Sequence, residues 1–361
     1  MKGRSGDRRA SPRVILHFGP HKTATTAFQL MLRARSDALA QGGIVAFSRH
    51  SRFDAYEAYW RESSRLRVAL ALDKPTDGAI LTGEAERLVS AARAEGADVL
   101  VLSDENAPGF APGTMLRRHQ RFVDGFYPTA RRVVELHRAA FEAQGCTVEV
   151  AWVTRPFPSL LRSLYLNAMA DLRSADDWDE FVDRIDLASF AFQRLVDDTL
   201  AAGAPVRTVP LRDFALAPHR IIGADAPPLP PLAHSNAGLI ELQHDVARLL
   251  NAHVRADEID SLRTWLNAMP ALEGGRKPAL PLPPSVAERI DRVELREARF
   301  HAGPTWSEPG PARPSACLDP HERTRPVRAI QHQGLPCRLP ASFLTPPAPL
   351  SPAPAFGPQM R

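Results

Sequence analysis

Cysteine is scarce in this chain of 361 residues, which contains Cys146, Cys317 and Cys337 and no others. So few thiols cannot form the disulfide framework of a small secreted domain, and no Cys-x-x-Cys pair predicts a zinc site. Long apolar runs are missing too, since none approaches the roughly eighteen residues needed to cross a bilayer. The charged N-terminus lacks the apolar segment of a secretory signal. We therefore expect a cytoplasmic protein with no transmembrane segment and no metal site.

The charge balance is mildly basic, with a formal net charge of +4. Lysine is rare and arginine common, and several arginines lie near the N-terminus. This balance favours anionic ligands in general. The sequence has no basic stripe with interleaved aromatic residues, so we do not expect a nucleic acid partner.

Composition divides the chain into three parts. Residues 1–12 read as a mobile basic arm, and residues 13–300 are long enough for one large domain. Residues 301–361 hold fourteen of the 34 prolines and show no period, which predicts a disordered tail. Within the domain, residues 239–253 and 257–268 have the pattern of amphipathic helices. A further helix is predicted over 285–300, opened by a capping box of Ser285 and Glu288.

Short apolar runs alternate with helical patterns along residues 14–215. The predicted strands are 14–18, 44–47, 99–102, 148–153 and 206–209. The predicted helices include 25–40, 53–72, 81–94, 130–143, 156–172 and 189–202, and Ser174 is expected to cap one more. This alternation indicates an α/β fold, a parallel sheet flanked by helices, followed by a helical C-terminal part.

One strand-to-helix junction has the composition of an anion site. Residues 14–29 read VILHFGPHKTATTAFQ, so an apolar strand ends at Gly19 and Lys22 follows just before a helix. Lys22 is followed by the hydroxyl residues Thr23, Thr25 and Thr26. Backbone N–H groups at a helix N-terminus, one cation and several hydroxyls together suit a phosphate or a sulfate. The loop departs from a Walker A motif because His21, and not glycine, precedes Lys22.

Two further strand ends carry candidate residues. The strand over 148–153 runs into RPFPSLLRSLY at residues 155–165, which places Arg155 at the strand end and Ser163 two turns into a helix. The strand over 99–102 is followed by Asp104 and Glu105. A carboxylate at the carboxyl end of a buried parallel strand points into the ligand crevice of α/β proteins. Glu105 is therefore the leading general base, and His21 and His17 are its competitors.

Together these motifs resemble bacterial PAPS-dependent sulfotransferases across residues 14–215. The run from His21 to Thr26 resembles their 5′-phosphosulfate loop, with Ala24 where glycine is usual. An alanine is tolerable there if the backbone has a negative φ. Arg155 and Ser163 resemble the residues that bind the 3′-phosphate. The resemblance implies a P-loop NTPase-like fold and transfer of a sulfuryl group from PAPS to a hydroxyl of a carbohydrate, lipid or small-molecule acceptor.

The resemblance also implies a division of roles. Lys22 would neutralise the leaving phosphate, aided by Thr23, Ala24, Thr25 and Thr26 of the loop. Glu105 or His21 would take the acceptor proton, because some family members use a glutamate and others a histidine. The scheme requires no metal. Two alternatives stay open: an ATP-dependent small-molecule kinase with Asp104 on magnesium, and a non-catalytic nucleotide-binding protein.

Overall fold

The main sheet has six strands in the order β2-β3-β1-β6-β7-β8. The computed structural model describes residues 11–307 apart from 52, 54, 117–118, 120, 171–175, 224, 233–246 and 248–278. The strands are β1 (Arg13–His17), β2 (Ile44–Ser48), β3 (Val99–Ser103), β6 (Thr147–Thr154), β7 (Val206–Pro210) and β8 (Thr305–Ser307). Every pair in this sheet is parallel except β7 with β8. A small antiparallel hairpin stands apart and consists of β4 (Met115–Leu116) and β5 (Arg121–Phe122).

Helices cover both faces of the sheet, as the alternating pattern predicts. They are α1 (Thr25–Ala34), α2 (Ser36–Gln41), α3 (Ala55–Ala71), α4 (Ala79–Ala94), α5 (Ala130–Glu142), α6 (Phe157–Ala170), α7 (Trp178–Arg184), α8 (Phe192–Ala201), α9 (Leu211–Leu216), α10 (Pro284–Glu297) and α11 (Arg299–Ala302). None of the helices in the described part of the chain combines the length and apolarity that spanning a bilayer requires.

The central strands are apolar throughout because each of their faces packs against a separate core. Val14 and Leu16 of β1 belong to the larger core, whereas Ile15 between them belongs to the smaller one. The smaller core also contains Phe28 of α1 and Phe214 of α9. Successive side chains of a strand point to opposite faces, so burial on both faces produces an unbroken apolar run. The prediction of a parallel sheet flanked by helices is thereby confirmed.

Several predicted boundaries differ from the structure. The helix predicted over 25–40 is interrupted at Arg35, which separates α1 from α2. The cap of α7 is Asp177, which forms a capping box with Glu180. Ser174 lies outside the described residues. The helix α10 begins after Pro283 without any side-chain cap, so the predicted capping box of Ser285 is wrong.

The C-terminal part of the domain extends past the predicted boundary at residue 300. Strand β8 pairs with the edge strand β7 over residues 305–307. An added edge strand buries backbone groups that a disordered tail would leave to water. The helices predicted over 239–253 and 257–268 lie outside the described residues, apart from Ala247. Residues 1–10 and 308–361 are also outside them.

The larger core encloses a histidine and a tyrosine in contact. His137 of α5 and Tyr59 of α3 are both fully buried, and Tyr59 Oη lies 2.5 Å from His137 Nδ1. Burial lowers the pKa of His137 to about 3, since the imidazolium form would lose its hydration. The unfolded chain then binds a proton below pH 6.5 that the folded protein does not bind.

We predict that this histidine makes the fold sensitive to acid. Between about pH 6.5 and 3 it should remove roughly 1.4 kcal/mol of unfolding free energy for each pH unit, because the folded pKa lies below the unfolded one. Urea unfolding of the wild type and of His137→Gln at about pH 7, 6 and 5 measures this contribution. The stability advantage of the wild type should shrink by about 0.7 kcal/mol from pH 7 to 6, where the unfolded histidine is only beginning to titrate, and by about 1.2 kcal/mol from pH 6 to 5. A pH-independent difference between the two proteins would contradict the prediction.

Candidate functional site

The loop between β1 and α1 lies at the point where the strand order of the sheet reverses. Strand β1 is paired with β3 on one side and with β6 on the other. The chain that leaves β1 leads to β2 on the β3 side, whereas the chain that leaves β6 leads to β7 on the opposite side. In open α/β sheets a crevice forms at the carboxyl ends of the strands at such a point. We call residues 19–24 the β1–α1 loop.

Backbone strain is concentrated in this loop. Lys22 has φ 69° and Ala24 has φ 64°, both in the left-handed region. The condition under which alanine is tolerable at position 24, a negative φ, is not met: the position has the conformation that glycine adopts without cost. A side chain in this region costs roughly 1–2 kcal/mol per residue. Alternation of left- and right-handed residues turns successive N–H groups toward one concavity, which favours an anion.

Close packing at the start of the loop excludes any side chain from Gly19. A Cβ atom there would lie 2.6 Å from Thr25 Oγ1, 3.1 Å from His17 Nε2 and 3.1 Å from Thr23 Oγ1. His17 itself is fully buried, with Nδ1 2.9 Å from Ser103 Oγ. Burial lowers its pKa to about 3. The prediction of His17 as a competing base is therefore wrong, because no acceptor can reach it.

The N-cap residue of α1 provides no side-chain cap. Ala24 occupies the N-cap position without a side-chain hydrogen bond, and the first turn contains no acidic residue. By contrast, α6 and α8 receive glutamates: Glu294 accepts the N–H of Phe157 and Glu297 accepts that of Gln193. Within the described residues, the buried Oγ1 of Thr25 also has no hydrogen-bond partner. Helix dipole, N–H groups and this hydroxyl all favour an anion here.

The two predicted phosphate motifs meet in one place. Arg155 donates from Nη1 to the carbonyl oxygen of Lys22 at 2.7 Å and from Nε to Ser159 Oγ at 3.0 Å. Lys22 Nζ lies 3.3 Å from Asn167 Oδ1. Ser159, the half-buried Ser163 and Asn167 follow one another at intervals of four residues on α6. Ser159 and Asn167 were not predicted, although this spacing places all three on one helix face.

Two acidic residues follow the carboxyl end of β3, which lies beside the carboxyl end of β1 and therefore beside the β1–α1 loop. Asp104 is buried, and its Oδ1 accepts the N–H of Asn106 at 2.9 Å. The pKa of Glu105 is raised to about 7, chiefly by burial and then by the charge of Asp104. Lys22 and Arg49 oppose this rise. A carboxylate of near-neutral pKa is suited to accept a proton at physiological pH.

His21 is held by contacts that its sequence position did not predict. Its backbone N–H donates to Tyr127 Oη at 2.7 Å, and its Nδ1 lies 2.8 Å from the same oxygen. Its Nε2 lies 3.3 Å from Asn106 Oδ1. The ring also stacks on Tyr127, with centroids 6.0 Å apart. Both ring nitrogens thus face protein partners.

Among the residues that the structure describes, no group of three or more histidine, cysteine, aspartate or glutamate side chains is placed to hold a metal ion. The arrangement offers instead an anion site in the β1–α1 loop, flanked by Lys22 and Arg155 and with Glu105 nearby. Thr23 is buried and donates to the carbonyl of Pro20 at 2.5 Å, so its hydroxyl supports the loop. Thr26 is half-buried in the first turn of α1.

Comparisons with known proteins add little to this geometry. No protein-family model matches the chain, and no curated protein matches it. One solved structure comes from a study of the PezAT chromosomal toxin–antitoxin system of Streptococcus pneumoniae. It aligns with 73% of this chain and 89% of its own, at 15% identity and a TM-score of 0.23. A likeness of this size carries no argument for fold or function.

The strain at Ala24 predicts that glycine is the better residue there. We expect Ala24→Gly to raise the unfolding free energy by about 1 kcal/mol, because it removes the left-handed penalty. The matched control is Ala38→Gly in the exposed part of α2, which should lower stability by roughly 0.5–1 kcal/mol. Urea unfolding of the two variants measures both effects. A loss of stability in Ala24→Gly would contradict the strained conformation.

Proposed function

We propose that the chain is a PAPS-dependent sulfotransferase with a P-loop-like fold, and that it transfers a sulfuryl group to a hydroxyl of a carbohydrate, lipid or small-molecule acceptor. The observation that carries this proposal is the hydrogen bond from Arg155 to the carbonyl of Lys22. It joins two motifs whose bonded residues lie 133 positions apart in the sequence. PAPS carries a 5′-phosphosulfate and a 3′-phosphate, so its binding needs two anion sites that lie close together in the fold.

The β1–α1 loop would hold the 5′-phosphosulfate. Its N–H groups and the hydroxyls of Thr25 and Thr26 would donate to the non-bridging oxygens. In the transfer step the bond between sulfur and the bridging oxygen of the phosphate breaks, and a bond from sulfur to the acceptor oxygen forms. Lys22 would neutralise the charge that grows on the departing phosphate. No side chain of the loop needs to change its protonation state.

Arg155 and Ser163 would hold the 3′-phosphate. The guanidinium has five N–H donors, and the bonds to Lys22 and Ser159 engage only two of its nitrogens. The remaining donors can bind phosphate in the forked geometry that arginine favours. Because Arg155 also holds the loop, its replacement should disturb both phosphate sites.

Glu105 would accept the proton of the acceptor hydroxyl. It follows β3, the strand adjacent to β1, so its carboxylate lies at the same sheet edge as Lys22. His21 fits this role less well, because both ring nitrogens already face Tyr127 and Asn106. The kinase alternative assigns magnesium to Asp104, yet Asp104 uses an oxygen to close the turn at Asn106.

The first test of this function is the choice of nucleotide. We predict that 3′,5′-adenosine bisphosphate (PAP) binds without magnesium and more tightly than AMP, since AMP lacks the 3′-phosphate. One charged hydrogen-bonded contact is worth about 1.5–3 kcal/mol, a factor of roughly 10–150 in affinity. Titration calorimetry with PAP, AMP and ATP, with and without magnesium, measures the difference. Magnesium-dependent ATP binding with no affinity for PAP would favour the kinase.

The second test concerns the general base. The turnover number of Glu105→Gln should fall by about 10²–10⁴-fold with nearly unchanged PAP affinity, because the variant keeps the shape and loses the basicity. In the wild type, kcat/KM should rise with pH through an apparent pKa near 7 as Glu105 ionises. This rise of kcat/KM with pH should be absent in Glu105→Gln.

The control for the base is His21→Asn, which keeps a polar side chain and removes the imidazole. It should retain the rise in kcat/KM near pH 7, whatever its absolute rate. If His21→Asn loses the rise of kcat/KM near pH 7 while Glu105→Gln keeps it, His21 is the base and the assignment of Glu105 fails.

A further inference from the structure

Tyr127 contacts the β1–α1 loop from the far end of the segment that follows β3. It is 1% exposed, and its Oη lies 2.7 Å from the backbone nitrogen of His21. The bond fixes the peptide group that precedes His21. On the other side of the loop, Arg155 donates to the carbonyl of Lys22. Two side chains from separate elements thus hold the backbone on both sides of the strained Lys22.

The rest of the fold keeps Tyr127 in position. The preceding Phe126 is buried in an aromatic cluster with Phe157, Phe190 and Phe192, at centroid distances of 4.9–5.7 Å. Its backbone N–H donates to Ser189 Oγ at 2.8 Å. Tyr127 is itself left-handed, with φ 51°. A non-glycine residue keeps this conformation only where its surroundings determine it. The core therefore holds Tyr127, and Tyr127 holds the loop.

The same hydroxyl assigns the tautomer of His21. Tyr127 Oη accepts the backbone N–H of His21, so its own proton can be donated to Nδ1 at 2.8 Å. The ring proton then lies on Nε2, toward Asn106 Oδ1. This assignment follows from the hydrogen-bond network. Both ring nitrogens of His21 are then engaged by protein partners, which leaves the ring poorly placed to accept the proton of an acceptor hydroxyl.

We propose that Tyr127 is a positioning residue for Lys22: its hydroxyl, acting through the backbone and ring of His21, keeps the β1–α1 loop in the conformation that binds the anion. The part of this proposal that concerns PAP rests on the proposed function. The part that concerns the loop does not, because it can be tested in the protein without ligand. Tyr127 touches neither donor nor acceptor in this scheme.

The test compares Tyr127→Phe with Tyr59→Phe in the full chain. Both tyrosines are buried, and both have their hydroxyl within hydrogen-bond distance of a histidine Nδ1. The two variants therefore lose the same chemical group, from a hydroxyl that bonds to the loop in Tyr127 and to His137 of α5 in Tyr59. Amide exchange and histidine side-chain nitrogen shifts are measured by NMR on the ligand-free proteins. PAP affinity is measured by calorimetry.

In Tyr127→Phe we expect the amide of His21 to exchange about tenfold faster or more, because its acceptor is gone. The Nδ1 shift of His21 should change, and PAP affinity should fall about tenfold. Tyr59→Phe should leave all three at wild-type values. Wild-type exchange at His21 in Tyr127→Phe would overturn the proposal, as would faster exchange spread evenly over the domain.

The two proposals fail in different ways. If the wild type does not bind PAP, the sulfotransferase function fails, while the ligand-free exchange of His21 still decides the role of Tyr127. If the wild type binds PAP and Tyr127→Phe binds it equally well, the positioning role is overturned and the function stands.

Discussion

Strand β1 is hydrogen-bonded on both edges and buried on both faces, so its chain can leave the sheet only at the carboxyl end. Everything at the site follows from how the next few residues turn from that end into α1. Gly19 makes the turn possible, because polar side chains from β1, the loop and α1 already fill the space beside it. The N-cap residue at the end of this turn, Ala24, makes no side-chain hydrogen bond, and N–H groups at a helix N-terminus beside a lysine favour an anion.

The conformation of this turn is not favourable by itself. Four described non-glycine residues have a positive φ, and three of them, Lys22, Ala24 and Tyr127, lie in or against the loop. Such clustering is typical of binding sites, where surrounding contacts compensate for local strain. Here the compensation is visible as hydrogen bonds from Tyr127 and Arg155 to the backbone around Lys22. These hydrogen bonds are made within the protein, and a loop held in this way would lose less entropy on binding a ligand.

The sequence predicts what depends on local pattern. Burial on both faces makes β1 and β6 apolar runs, so both strand-to-helix junctions lie within about two residues of their predicted places. The positive φ of Ala24 belongs to the fold of the loop, and the local pattern does not distinguish it from the negative φ that alanine tolerates. Tyr127 and Asn106 could not be predicted, because they reach His21 across 106 and 85 residues of sequence. The periodicity of a sequence indicates local structure and does not indicate contacts between residues so far apart in the chain.

The charges around Glu105 show why the anion site and the base belong together. Burial and Asp104 raise the pKa of Glu105, while Lys22 and Arg49 lower it. In the proposed mechanism a bound sulfate donor would place negative charge beside Lys22. This charge would reduce the effect by which Lys22 lowers the pKa of Glu105. The carboxylate of the loaded site would then hold a proton more strongly than that of the empty site. Binding of the anion would thus make Glu105 a stronger base, while a smaller share of it would be ionised at neutral pH, so the apparent pKa of the loaded site should lie above that of the empty one.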